Sequence, residues 1–109
     1  MSIDRSTWRV LIVDDQDSMR QLLRICLRGL GILNVSDAED GEKALALLTS
    51  RPVDIVLLDG EMPKLSGVET LKRIRSTPAT ANLPVIMVTG RSDMDFVSRS
   101  RHCASAVLW

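Results

Sequence analysis

The stretch RVLIVDDQDSMRQLLRICLRGLG, residues 9–31, changes its hydrophobic period midway, and that change decides the fold. Arg9 to Asp14 is a short β-branched run ending in acids, as expected of a strand buried on both faces of a parallel sheet. From Met19 the period lengthens. Met19, Leu22, Leu23, Cys26, Leu27 and Leu30 recur at helical spacing, and Arg20, Gln21, Arg24 and Arg28 fill the opposite face. An amphipathic helix capped near Asp17 or Ser18 is predicted, ended by Gly29 and Gly31 so that the chain can reverse.

Outward from this unit the same alternation continues. A weak strand over Leu33–Ser36 precedes a helix with Ala44, Leu45 and Leu48 inward, which stops at Arg51-Pro52 because a residue before proline avoids the helical region. Val53–Leu58 is the clearest strand. Ser66-Gly-Val-Glu69 has the form of a capping box and predicts a helix whose apolar stripe is Val68, Leu71 and Ile74. A polar connection over Thr77–Leu83 leads to a strand at Val85–Val88, then to a helix from about Ser92 and a last apolar run, Ala106–Trp109.

Strand and helix alternating over one domain's length predict a doubly wound parallel α/β sheet with right-handed crossovers, flavodoxin-like, in strand order 2-1-3-4-5. That order makes strands 1 and 3 neighbours about 4.8 Å apart and opens a crevice at their carboxyl ends, where ligands bind in such sheets. Asp14 and Asp15 leave strand 1 at that edge, and Asp59 leaves strand 3 there. Three converging carboxylates repel unless protons or a cation neutralise them, and hard oxygen ligands suit Mg²⁺ or Mn²⁺ better than zinc. Asp59 would then be free to act as a nucleophile toward a phosphoryl donor, with the Thr89 hydroxyl at the end of strand 4 placed to bond the product.

Composition narrows the function further. Among 109 residues, fourteen basic and fourteen acidic side chains cancel, so no bulk field favours nucleic acid or an anionic membrane. No apolar run reaches the length of a membrane span and no signal peptide opens the chain, which predicts a cytoplasmic location. Cys26 and Cys103, without a partner pattern, read as small core hydrophobes. His102, beside Arg99 and Arg101, reads as a surface residue, and Trp8 and Trp109 as packing or interface anchors.

Val13-Asp14-Asp15, Leu57-Leu58-Asp59-Gly60-Glu61-Met62-Pro63 with Gly67, and Val88-Thr89-Gly90 together resemble the receiver domain of two-component response regulators, of the chemotaxis type, over residues 9–109, with residues 1–8 as an extension. The resemblance implies Asp14, Asp15 and Asp59 as metal ligands together with the backbone carbonyl of Glu61, Asp59 as phosphoacceptor and Thr89 as switch hydroxyl. Glu61 and Arg91 fall where the family tunes access of water to the acyl phosphate. It also implies a sensor histidine kinase or phosphotransfer protein as donor and a downstream protein as target, not a turnover enzyme. The family's lysine at the end of strand 5 falls about two residues past Trp109 on the usual spacing, so the last helix and part of strand 5 are expected to be missing. The face that helix normally covers would be left apolar and available for homodimerisation. Two other readings compete: a degenerate receiver that serves as a non-switching binding or dimerisation module, and, on the strength of Asp15 and Asp17, an aspartate-nucleophile phosphatase. The second leaves Asp59 without a role.

Overall fold

The computed structural model describes residues 5–60, 62 and 65–88. In chain order these form β1 (Arg9–Val13), α1 (Asp17–Gly29), β2 (Asn34–Ala38), α2 (Gly41–Ser50), β3 (Ile55–Asp59), α3 (Gly67–Ser76), a 3₁₀ turn at Pro78–Thr80 and β4 (Val85–Val88). The four strands are parallel and lie in the order β2-β1-β3-β4. That is the expected doubly wound order over the described residues. The predicted helix from Ser92, the last apolar run, Cys103, His102 and Trp109 lie outside them.

Alternation along each strand sorts the core into two layers. Leu11, Val13, Val56, Leu58, Val85 and Met87 point to one face, where Ala44 of α2 and Leu71 and Ile74 of α3 close on them. Val10, Ile12 and Leu57 point to the other, against Leu27 and Ile32, with Trp8 and Leu23 packed at the margin. Because both faces are covered, β1 and β3 are apolar at nearly every position. Each fully buried aliphatic side chain contributes about 1.5–3 kcal/mol.

Local chemistry starts and stops the elements. Asp40 caps α2, its Oδ1 accepting from the Lys43 amide at 2.8 Å, and α2 ends at Ser50, with Arg51 extended before Pro52. Ser66 caps α3, accepting from the Glu69 amide at 3.2 Å. Of the expected capping box this is the serine half; the Glu69 carboxylate lies 3.6 Å from the Lys72 ammonium. Gly31, at φ 84°, makes the left-handed reversal after α1. Arg9 and Asp54 tie the entry of β1 to that of β3 through a forked pair, with Nε to Oδ2 at 3.1 Å and Nη2 to Oδ1 at 3.0 Å.

The burial of α1 corrects the expectation for its inner stripe. Leu27 is buried and Leu23 half-buried, but Leu22 (52%) and Leu30 (54%) are exposed, as is Cys26, which is therefore not a core residue. Ile25 (65%) and Leu33 (67%) extend the same apolar flank. The apolar arc of α1 is wider than the strip one sheet face can bury. Arg24 reaches the other way, to the Val35 carbonyl at 3.1 Å and Asp37 at 3.2 Å on β2. Those bonds hold α1 on its charged side, while Leu27 and Leu23 pack on the sheet and the rest of the apolar arc stays exposed.

Candidate functional site

β1 and β3 are paired in register, with Val13 opposite Leu58, so the next residues of each strand, Asp14 and Asp59, leave the sheet side by side. Asp15 follows in the loop before α1. One carboxylate oxygen from each of Asp14, Asp15 and Asp59 lies within 4.8 Å of the others. Asp14 is buried, Asp59 half-buried and Asp15 exposed, so the cluster opens to solvent on one side.

Several bonds shape this edge. The Asp14 amide donates to the Ala38 carbonyl of β2 at 3.1 Å, and Asp14 Oδ1 accepts from the Gln16 amide at 2.9 Å. Arg20, one turn into α1, donates from Nη1 to the Asp14 carbonyl at 2.5 Å. Beneath Asp59, the Gly67 amide donates to the Gly60 carbonyl at 3.2 Å, bringing the start of α3 against the end of β3. Burial lifts the Asp14 carboxyl above its ordinary range. The Gln16 amide opposes that shift, and the neighbouring Asp15 charge adds to it.

The donor set fits a hard divalent cation. It consists of carboxylate oxygens alone, close enough to repel, with one of them partly desolvated, and a bound cation would relieve both the repulsion and the desolvation. Asp17 stands apart from the cluster, its two oxygens accepting from Arg20 and Gln21 at 3.0 Å each. It is therefore occupied on α1, which weakens the Asp15-x-Asp17 phosphatase reading. Val88 pairs with Asp59 at the end of β4. Thr89 and Arg91 follow it and, like Glu61, lie outside the described residues.

The period of α1 placed Arg20 on the face opposite the apolar stripe, and its bond to the Asp14 carbonyl was not foreseen. Asp17 three residues earlier was the available hint, since oppositely charged residues at that spacing meet on a helix.

Comparisons with known proteins agree with this geometry. The model of the response regulator receiver domain matches residues 10–105. Chemotaxis protein CheY of Pseudomonas aeruginosa is 38% identical over 87 residues, which span 80% of this chain and 70% of that protein. CheY-3 of Vibrio cholerae is 39% identical over 84 residues, 77% of this chain and 65% of that protein. Among solved structures, a putative response regulator from Chloroflexus aurantiacus superposes with a TM-score of 0.84 at 32% identity, over 89% of this chain and 79% of that one.

Proposed function

The chain belongs to the response regulator receiver domain family of two-component signalling, and on that premise we propose that it accepts a phosphoryl group on Asp59 in a Mg²⁺-dependent reaction. The observation that carries this reading is the convergence of Asp14, Asp15 and Asp59 at the carboxyl edge of β1 and β3. Asp14 and Asp15 would hold Mg²⁺ or Mn²⁺ together with Asp59 and the Glu61 carbonyl. The ion, when bound, offsets charge on the phosphoryl oxygens.

The chain's own part is positioning. Asp59, fixed by β3, presents a carboxylate oxygen that forms the new O–P bond, while the bond from phosphorus to the donor's leaving group breaks and the leaving group keeps the electron pair. Thr89, next after β4, is assigned the hydroxyl that bonds the phosphate and passes its presence onward. Glu61 and Arg91 are assigned control of water at the pocket mouth, and so of the phosphate's lifetime. The receiver unit is placed at residues 9–109, after a short extension. A histidine kinase or phosphotransfer protein supplies the phosphoryl group in the cytoplasm, and a protein target reads the result. Among the described residues no helix is long and apolar enough to cross a membrane.

The test is incubation with acetyl phosphate and Mg²⁺ followed by intact mass. A single phosphoryl adduct that disappears in Asp59→Asn, or when Mg²⁺ is chelated, supports the reading. No adduct under any donor supports instead the non-switching binding module.

One observation favours self-association as the mode of output. Leu22, Ile25, Leu30 and Leu33, on α1 and the segment after it, are large apolar residues that stand exposed, and apolar surface left exposed in a contiguous patch marks interaction sites. The proposed occupant is a second copy of the chain.

A further inference from the structure

The planar peptide unit between Asp14 and Asp15 sets the directions in which both side chains leave the backbone, because only the soft dihedrals on either side of it adjust them. That unit lies just past the end of β1, beyond the bond from the Asp14 amide to the Ala38 carbonyl at 3.1 Å. Its carbonyl oxygen accepts from Arg20 Nη1 at 2.5 Å. The guanidinium is in turn held from the first turn of its own helix and from β2. Nη2 donates to Asp17 Oδ1 on α1 at 3.0 Å, and Nε lies 3.7 Å from Asp37 Oδ2 on β2. With 13% of its side chain accessible, Arg20 is well packed for so long a charged residue.

We propose that Arg20 is a positioning residue for the metal site: it pins the Asp14–Asp15 peptide plane from behind and so orients the two carboxylates that hold the divalent cation. This inference rests on the metal reading above. Only arginine has the fork to do this. Three separate nitrogens address the loop, the first turn of α1 and the neighbouring strand at once, whereas the compact ammonium of a lysine can reach one or two of those partners. Groups that orient metal ligands without touching the ion change metal affinity about 10–100-fold when lost.

A purely electrostatic role would have the opposite sign. A cation beside a site for a divalent cation repels it, so removing the charge alone would tighten binding. The test is Mg²⁺ titration by calorimetry on the 109-residue chain, repeated with Mn²⁺ by electron paramagnetic resonance, well below the unfolding temperature. The circular dichroism of each metal-free variant confirms that it is folded. Arg20→Gln should weaken Mg²⁺ about tenfold or more, and Arg20→Lys should fall between it and the parent. If Arg20→Gln does not fold, Arg20→Lys alone decides, with a loss of about threefold or more expected, a partial form of the same effect. Affinities equal to or tighter than the parent's in the folded variants overturn the inference and leave the metal reading standing. A parent chain that takes up no Mg²⁺ overturns the metal reading and this inference with it.

Discussion

Gly67 sits so close to the end of β3 that a Cβ at this position would lie 2.3 Å from the carbonyl oxygen of Asp59 and 2.7 Å from the Gly60 Cα. Both neighbours are backbone, so neither can swing aside. The first residue of α3 is therefore in contact with the main chain that carries the proposed phosphoacceptor.

From that contact, Gly67→Ala is expected to cost about 1–3 kcal/mol, the scale of overpacking in a tight site. It should also slow adduct formation from acetyl phosphate, because relief requires the Asp59–Gly60 backbone to move. Urea unfolding and intact-mass time courses measure the two effects. Parent-like values in both would show that the approach constrains nothing.

The raised proton affinity of Asp14 gives a pH prediction of definite sign. The folded chain holds this proton more tightly than the unfolded chain does, so in metal-free protein stability falls as pH rises from the ordinary carboxylate range through the raised value. Asp14→Asn, which keeps an oxygen for the Gln16 amide, should then be more stable than the parent at neutral pH without Mg²⁺. An effect on the order of 1 kcal/mol is expected, or about 4–8 °C in a domain of this size. The advantage should vanish below the ordinary carboxylate range. It should shrink or reverse when Mg²⁺ stabilises the parent. Differential scanning calorimetry across pH, with and without Mg²⁺, checks each part. A parent more stable than Asp14→Asn in metal-free neutral buffer contradicts the account.

Asp54 predicts the opposite trend. Its bonds from the Arg9 side chain and from the Arg9 amide, the latter at 2.8 Å, hold its carboxyl below the ordinary range. The stability from this pair is present above the ordinary range and is lost as pH falls through the depressed value. Asp54→Asn should be less stable than the parent at pH 7 and equal to it in strong acid. The difference should be modest and salt-sensitive, since both side chains are about two-fifths exposed. A difference that persists unchanged in acid would assign the loss to packing rather than charge.

How much of this could be read from the residue order depends on whether the cause was local. β3 and the Ser66 cap were legible because a β-branched run and a side chain three residues from its amide partner carry their own instructions. The meeting of Asp14 with Asp59 was legible one step further on, since strand order follows from the alternation of elements. The inner stripe of α1 was read too wide because periodicity reports how wide an apolar arc is and says nothing about how much of it a neighbour covers. Leu22 and Cys26 belong to the arc but lie beyond the contact. Arg20 and the Arg9–Asp54 fork were missed for a related reason. Long charged side chains look solvated in sequence, and only the fold brings a carbonyl or a carboxylate from another element within their reach.

The exposed flank of α1 sets the last prediction. Ile25 is the most exposed of the large apolar residues on that helix, at 65%, and is not among the residues that form or pack against the core. Ile25→Glu should therefore leave folding stability within about 0.5 kcal/mol of the parent. If the flank joins two copies, the same change places a carboxylate in an apolar interface, where desolvation opposes it. The dimer dissociation constant should then rise about tenfold or more, equivalent to ~1.4 kcal/mol. Sedimentation equilibrium at rising concentration separates the outcomes. Concentration-dependent dimerisation in the parent and its loss in Ile25→Glu assign the interface to this flank, and equal dimerisation in both places it elsewhere. A parent that stays monomeric at high concentration removes the second copy as occupant. The flank would then be ordinary exposed apolar surface, tolerated because the two sheet layers already bury the core that holds the fold.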